Sequence, residues 1–169
     1  MLRGRLHFRP AYLLAFIAAQ YAIYFVGRFA GQGKEFYSVA RHSVHVSLEV
    51  EARGGSRKVQ RYALAHDAAE AYLSDVPGPV KKSSPGYKHA ERALDRAVVE
   101  ALDLDVTADE KAFVERTDKV VGQYELAAYF PERGYEGPVD LHHDPDAVDA
   151  SADDKALFLR RAQGLGLQP

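Results

Sequence analysis

The segment HDAAEAYLSDVPGPVK, residues 66–81, constrains the fold of this chain more than any other part of the sequence. Its alanine-rich first half is typical of a helix that reaches about Leu73. Pro77 and Pro79 then exclude a continuing helix, because proline lacks the amide donor and restricts the residue before it. The segment therefore predicts a helix followed by a rigid turn.

The same segment concentrates residues that can carry out chemistry. Glu70 follows His66 by four residues and Asp67 by three, which brings it to the side of a helix that they share. Imidazole and carboxylate groups together can bind a divalent cation, and a neighbouring carboxylate can transfer protons. Asp75 and Lys81 add a carboxylate and a cation in the rigid part. The alternative is a surface helix with ordinary charges.

The composition is that of a globular protein. The 169 residues are 47% hydrophobic, with 22 basic and 24 acidic side chains and a formal net charge of −2. Such a chain suits a single domain over residues 1–169, and it offers no large positive field for a nucleic acid polymer. The lack of cysteine excludes disulfides, zinc–thiolate sites and cysteine nucleophiles, and it fits a cytoplasmic protein.

An uncharged apolar segment covers residues 11–27, interrupted by Gln20. Three arginines precede it, so the start of the chain resembles a signal anchor. The segment is shorter than the roughly 20 apolar residues of a membrane-spanning helix, and it contains tyrosines and a face of small residues. It predicts an apolar N-terminal helix that is buried by protein, partly in a homo-oligomer contact. Membrane insertion is the alternative.

Residues 41–52 carry two conflicting patterns. Apolar residues alternate with others, as in a strand: Val44, Val46, Leu48 and Val50. His42 and His45, in contrast, are three residues apart, which suits one face of a helix. The pattern alone does not decide between strand and helix, and either histidine is a candidate metal ligand.

The remaining patterns predict helices joined by loops. Ser56 can cap a helix over residues 57–73, and Thr107 with Glu110 forms a capping box for a helix over about 108–130. Further expectations are a loop over 74–86, a helix over 87–103, a loop-rich stretch over 131–150 and a final helix from Ser151 to near Gly164. About six helices without a convincing strand pair indicate an all-α fold.

Two further places offer candidate metal ligands. Asp118 lies among apolar residues of a helix, and burying a lone carboxylate is costly unless it is paired or binds a metal. A salt bridge to Arg116 or Lys119 is the alternative. A second cluster lies in a polar loop, where we expect a solvated surface rather than a metal site: His142, His143, Asp144 and Asp146.

Three parts of the sequence together resemble the HD-domain phosphohydrolases: FYSVARHS, HDAAEAYLSDVPGPVK and the helix that contains Asp118. The likeness covers residues from about 28 to about 130. It is closest to the bacterial deoxyribonucleotide 5′-nucleotidases and their short phage relatives, some of which are dNTP triphosphohydrolases, including a dATP-removing type. The resemblance implies an HD-type helical bundle, so residues 39–52 are expected to be helical against their own periodicity.

The resemblance also implies a role for each matching residue. The metal ligands would be His42, His66, Asp67 and Asp118. The carboxylates that assist catalysis would be Glu70 and Asp75, and the substrate contacts would be Arg28, Phe29 and Lys81. The cofactor would be one divalent metal ion, with Co²⁺, Mn²⁺, Zn²⁺, Fe²⁺ and Mg²⁺ all open.

The implied reaction is hydrolysis of the 5′ phosphoester bond of a 2′-deoxynucleotide, a small-molecule partner, with the 5′-monophosphates favoured. Hydrolysis of a dNTP to triphosphate is the alternative, because a longer phosphate tail needs more cations and further candidates exist: Lys34, Lys82, Arg116 and Lys119. An alternative of another class is a non-catalytic HD protein that binds a nucleotide.

Overall fold

The computed structural model describes residues 23–130, 139–148 and 153–167. Within these ranges the chain forms seven α-helices: α1 Val39–Ala52, α2 Arg57–Ala65, α3 Glu70–Leu73, α4 Gly78–Ser83, α5 Pro85–Ala101, α6 Ala108–Tyr129 and α7 Asp154–Leu165. Two 3-10 turns accompany them, Arg28–Gly31 and Pro145–Ala147. Strand-like pairing in these ranges is limited to one isolated bridge between Gly27 and Ser38. The predicted all-α fold is confirmed.

Helix α1 lies at the centre of the fold and packs against α2, α6 and α7. Ser38 caps it, because the Ser38 hydroxyl accepts a hydrogen bond from the Arg41 amide at 3.0 Å. Val44 belongs to one apolar cluster, whereas Val46 and Val50 belong to another. Burial on several sides explains why the sequence alternates like a strand although the segment forms the predicted helix.

The two clusters hold α1 against the elements that carry the other site residues. The first cluster includes Leu157, Phe158, Ala162 and Leu165 of α7. The second includes Val59 and Ala63 of α2 together with Val114 and Val121 of α6. Because α2 leads into His66 and α6 carries Asp118, this packing sets the position of both side chains relative to α1.

The helix predicted over residues 57–73 is interrupted, which corrects that expectation. Helix α2 ends at Ala65, and the chain makes a turn before α3 begins. His66 accounts for the break, because its Nδ1 donates to the Ala63 carbonyl at 2.7 Å and takes the place of a backbone donor. The position of Asp67 is therefore set by a turn and not by helical spacing.

The predicted loop over residues 74–86 contains a further helix, α4, so that expectation is wrong. Pro79 lies in the first turn of α4, where a proline removes no intrahelical hydrogen bond. Helix α5 follows directly over Pro85–Ala101, close to the helix predicted over 87–103. Lys81 is consequently held by a short helix.

Two helix ends can be compared with their sequence signals. Both hydrogen bonds of the predicted capping box form at the start of α6, between Thr107 and Glu110. The final helix, predicted to start at Ser151, begins at Asp154 as α7 and is capped by Asp153, whose side chain accepts from an amide in the first turn. Ser151 itself lies outside the described residues.

The apolar helix predicted over residues 11–27 lies mostly outside the described residues. Residues 23–25 form a turn, so a helix does not extend to residue 27. Ile23 and Tyr24 are buried, whereas Phe25 is 83% exposed. The expected homo-oligomer contact stays a prediction. In the described ranges, every helix is too short or too polar to cross a membrane.

Candidate metal centre

The four predicted metal ligands come from three parts of the chain and meet at one point. Helix α1 supplies His42, the turn after α2 supplies His66 and Asp67, and α6 supplies Asp118. His42 Nε2 lies 3.0 Å from Asp118 Oδ1 and 3.5 Å from Asp67 Oδ2. His66 Nε2 lies 3.4 Å from Asp67 Oδ2 and 3.8 Å from Asp118 Oδ1. Two imidazoles and two carboxylates thus face one another across a small space.

The donor set fits a divalent cation. One ligand atom from each of His42, His66 and Asp118 lies within 4.8 Å of the others. Asp67 Oδ2 lies within 3.5 Å of both imidazoles, which makes Asp67 the candidate for a fourth ligand. Both Nε2 atoms are buried and form no hydrogen bond of normal geometry with any described residue. Unused imidazole nitrogens beside carboxylates suit Mn²⁺, Fe²⁺, Co²⁺ or Zn²⁺.

Hydrogen bonds to the other ring nitrogens orient both histidines. His66 Nδ1 donates to the Ala63 carbonyl at 2.7 Å, and His42 Nδ1 donates to Glu125 Oε1 at 2.7 Å. Because these acceptors engage Nδ1–H, the lone pair that can bind a metal lies on Nε2 of each ring.

The electrostatics favour positive charge at this centre. Burial and a nearby arginine lower the pKa of His42. The carboxylates of Glu125 and Asp118 have the larger, opposite effect, so that the pKa is raised to about 10. Burial raises the pKa of Asp118, but its close contacts with the two imidazoles hold that pKa well below its usual range. Within the described ranges, the alternative salt bridge from Asp118 to Arg116 or Lys119 is not formed.

A cavity of about 510 Å³ opens beside the metal centre. This volume lies within the roughly 300–1,000 Å³ that is typical of small-molecule sites. Asp67 and Asp118 reach into it. Every residue predicted to act in catalysis or substrate binding also lines it: Arg28, Phe29, Glu70, Asp75 and Lys81. Seven of the nine predicted site residues therefore line this cavity. The other two, His42 and His66, belong to the adjoining centre, so the structure brings all nine to one region.

Arg28 lies deep in this region among carboxylates. Its guanidinium lies 3.6 Å from Asp67, 3.9 Å from Asp75 and 3.4 Å from Glu125, and its side chain is 12% exposed. Burial lowers the pKa of Arg28, but the surrounding carboxylates raise it above its ordinary value, so its charge is permanent. Its Nε is buried and has no hydrogen-bond partner among the described residues.

The backbone at Phe29 has an uncommon conformation. Phe29 and Ala30 have φ angles of 56° and 54°, in the left-handed region that is costly for residues other than glycine. The Phe29 amide donates to Asp75 Oδ2 at 2.8 Å, which helps to hold this conformation. The Phe29 ring packs edge-on against Phe130 with the centroids 5.2 Å apart. These contacts fix an aromatic face on the wall of the cavity.

Glu70 and Lys81 contact each other in the same cavity. Lys81 Nζ lies 2.9 Å from Glu70 Oε1 and 3.0 Å from Glu91 Oε1. Burial and the charges of Asp67 and Asp75 raise the pKa of Glu70 to about 8, although the contact with the Lys81 ammonium lowers it. Glu70 Oε2 is buried and has no partner among the described residues. Glu70 can therefore hold a proton near neutral pH. Asp75, in contrast, accepts a hydrogen bond from the backbone amide of Phe29.

Two buried residues of this region, Glu125 and Tyr37, are not among the predicted site residues. Glu125 accepts hydrogen bonds from the Tyr37 hydroxyl at 2.8 Å and from His42 Nδ1 at 2.7 Å. Glu125 follows Asp118 by seven residues, so two helical turns place both on one face of α6. That spacing puts Glu125 on the Asp118 face of the helix, but by itself it does not distinguish a buried glutamate from an exposed one.

The second histidine cluster forms a separate structural site. His143 Nδ1 lies 2.7 Å from the buried carboxylate of Glu49, and His143 Nε2 lies 3.0 Å from His45 Nδ1. The His143 side chain is 7% exposed, so the expected solvated surface is wrong for this residue. His45 faces this cluster, which leaves His42 as the histidine of α1 that lies at the metal centre.

Comparison with known proteins adds one similarity. No family model matches the chain. The chain is 42% identical over 77 residues to the uncharacterized protein YfdR of Escherichia coli (strain K12). The match covers 46% of this chain and 40% of that protein, so the chain spans less than half the length of this relative. The similarity assigns no activity.

Proposed function

We propose that the chain is a metal-dependent phosphohydrolase that cleaves the 5′ phosphoester bond of 2′-deoxynucleotides. One observation carries the proposal: two imidazoles and two carboxylates meet beside a cavity that also contains Arg28, Lys81 and a protonatable Glu70. The resemblance to HD-domain phosphohydrolases, which rests on the residue types alone, supports the same assignment.

The cationic side chains of the cavity would bind the phosphate group. Arg28 and Lys81 offer charge-assisted hydrogen bonds, and both share the cavity with Asp67 and Asp118. A bound phosphate would therefore lie next to the metal ligands. A divalent cation at those ligands would polarise the phosphoryl group and lower the pKa of a bound water.

Glu70 is the residue best placed to transfer a proton. Its pKa of about 8 and its free, buried Oε2 allow it to donate a proton to the departing 5′ oxygen. Attack of water on phosphorus and cleavage of the P–O5′ bond then yield a deoxynucleoside and inorganic phosphate. Asp75 has a different role in this proposal, because it accepts from the Phe29 amide and holds the Arg28–Phe29 segment.

The charge of the cavity favours a monophosphate. Among its described lining residues, Arg28 and Lys81 are the cationic side chains, and the further lysines and arginine considered for a triphosphate do not line it. Carboxylates line the same space, so the additional charges of a triphosphate would be poorly neutralised. The aromatic wall of Phe29 and Phe130 would leave an added 2′-hydroxyl without a partner, which supports a deoxy sugar.

The test is a panel of nucleotides with each candidate metal ion, in which inorganic phosphate and triphosphate are measured separately. We expect phosphate from at least one dNMP and little turnover of ribonucleotides or dNTPs. Asp67→Ala should lower the bound metal well below one ion per chain and abolish hydrolysis, because it removes a ligand. Asp146→Ala, at an exposed aspartate outside the site, is the matched control and should change neither.

Each part of the proposal can fail separately. Full metal occupancy and activity in Asp67→Ala would contradict the metal centre. Intact triphosphate as the main product would replace the monophosphate assignment by dNTP hydrolysis. Nucleotide binding without turnover of any nucleotide would support the non-catalytic alternative.

A further inference from the structure

Glu125 is a fully buried carboxylate behind the metal centre, with 0% of its surface exposed. Its Oε1 accepts from His42 Nδ1 at 2.7 Å and from the Tyr37 hydroxyl at 2.8 Å. Its Oε2 lies 3.4 Å from Arg28 Nη2. Both carboxylate oxygens are therefore engaged, and each engages a different part of the site.

The location of Glu125 separates it from groups that touch substrate. It does not line the 510 Å³ cavity, and no ligand atom of the metal group belongs to it. Burying a carboxylate costs several kcal/mol unless its partners compensate, so an apolar residue would be the cheaper filler at this position. Its partners are a predicted metal ligand and a predicted phosphate contact, which points to an indirect role in the site.

We propose that Glu125 is a positioning residue that orients His42 for the metal ion and Arg28 for the phosphate at the same time. This inference rests on the proposed function. Through Oε1, Glu125 holds the proton of His42 on Nδ1 and directs Nε2 toward Asp67 and Asp118. Through Oε2, it anchors the guanidinium that lines the cavity.

The two histidines of the centre are supported by different acceptors. His66 Nδ1 donates to a neutral backbone carbonyl, whereas His42 Nδ1 donates to the charged Glu125. A carboxylate behind a ligating imidazole makes the ring a stronger ligand, and changes to such outer partners typically weaken metal binding by about 10–100-fold. Tyr37 restrains the carboxylate itself, because its hydroxyl donates to the same oxygen as His42.

Metal affinity tests this inference without any measurement of activity. Mn²⁺ is titrated calorimetrically into the full chain, into Glu125→Gln and into Glu49→Gln. We expect Glu125→Gln to bind Mn²⁺ about 10–100-fold more weakly, because an amide is a poorer acceptor and its NH₂ group would face Arg28. Glu49 is equally buried but belongs to the separate histidine cluster, so Glu49→Gln should lose stability and keep its Mn²⁺ affinity.

A second readout follows the Arg28 side of the contact. In the Mn²⁺-saturated proteins, inorganic phosphate should bind more weakly to Glu125→Gln than to Glu49→Gln. A purely structural role for Glu125 would lower the melting temperature without separating the two variants in either affinity.

The outcomes distinguish this inference from the proposed function. An unchanged Mn²⁺ affinity in folded Glu125→Gln overturns the positioning role and leaves the metal centre intact. A wild-type chain that binds neither Mn²⁺ nor Co²⁺ overturns both. If circular dichroism shows that Glu125→Gln does not fold, Tyr37→Phe takes its place, since it keeps the carboxylate and removes one restraint. A weaker Mn²⁺ affinity in Tyr37→Phe then supports the inference, and an unchanged affinity overturns it.

Discussion

Arg28 is surrounded by more negative charge than it can neutralise. Asp67, Asp75 and Glu125 all lie within 3.9 Å of its guanidinium. An exposed ion pair contributes only about 0–1 kcal/mol, but removing one partner from a buried group of charges typically costs about 3–5 kcal/mol. The residual negative charge is also what a divalent cation next to Asp67 would offset.

We expect Arg28→Ala to separate substrate binding from metal binding. Loss of a charge-assisted hydrogen bond of about 1.5–3 kcal/mol should lower kcat/KM for a dNMP by about 10–100-fold. The Mn²⁺ affinity should not fall, because the substitution removes a positive charge near the ion. Arg116→Ala, at an exposed arginine that does not line the cavity, is the control and should leave kcat/KM unchanged. Equal kcat/KM in Arg28→Ala and the wild type would reject the phosphate contact.

The side chains of the candidate metal centre could be singled out from the sequence because they lie in short motifs. His66 and Asp67 are neighbours in sequence, and the matching order of motifs implied His42 and Asp118. Glu125 could not be predicted in the same way, since nothing local distinguishes a buried glutamate from an exposed one on a charged helix. Its role depends on contacts with residues 83 and 97 positions away along the chain.

Helix α1 shows how packing overrides a local pattern. A helix with one buried face has apolar residues every three or four positions, but α1 is enclosed by three neighbours and has apolar residues on several faces. The valine alternation therefore indicated a strand that does not form. The break after α2 is also missed, because helix propensity does not indicate that the His66 ring bonds to the Ala63 carbonyl.

The chain between α3 and α4 contains a strained residue that can be tested. Ser74 has φ 63° and ψ 162°, a conformation found almost only for glycine, with a cost of about 1–3 kcal/mol. We expect Ser74→Gly to increase the free energy of unfolding by about 1 kcal/mol, which raises the melting temperature by about 2–4 °C. The Tyr87 hydroxyl donates to the Ser74 carbonyl, so this contact is kept. Thermal unfolding monitored by circular dichroism measures the change.

The matched control is Ser83→Gly at the end of α4, where the backbone is helical. A glycine there relieves no strain, loses the hydrogen bond from the Ser83 hydroxyl to the Val80 carbonyl and adds entropy to the unfolded chain, so stability should fall. If Ser74→Gly is destabilised as much as Ser83→Gly, the backbone at Ser74 is not strained.

The segment over residues 139–148 is tied to α1 through Glu49. Burial raises the pKa of Glu49. The hydrogen bonds from His143, His142 and Arg53 have the larger, opposite effect, so that the pKa is lowered to about 2. Since the folded pKa lies below the ordinary 4.5, the stabilisation is present above about pH 4.5 and is lost as the pH falls toward 2. At about 1.4 kcal/mol per pKa unit, it amounts to at most about 3.5 kcal/mol.

We expect Glu49→Gln to be less stable than the wild type at pH 7 and to lose less stability on acidification. The difference between the two unfolding free energies should shrink between about pH 4.5 and pH 2.5, because the wild-type carboxylate becomes protonated. Urea unfolding at a series of pH values measures it. The same pH dependence in both proteins would contradict the role of Glu49.

The whole molecule is needed to build the candidate metal centre. Its ligands lie at positions 42, 66, 67 and 118, on elements that two separate apolar clusters pack together. An unfolded chain cannot hold four such distant groups at one point. A metal ion that binds there would bind the folded state alone and so would stabilise it.

We therefore expect Mn²⁺ to raise the melting temperature in a saturable way. At a free concentration of 100 times Kd, the added stability is about 2.7 kcal/mol, which for a chain of this length corresponds to about 5–10 °C. Asp118→Ala should show no such increase, because it removes a ligand that contacts both imidazoles. Asp109→Ala, at an exposed position on the same helix, should keep the full Mn²⁺-dependent shift. An equal shift in both variants would mean that Mn²⁺ stabilises the protein at another place.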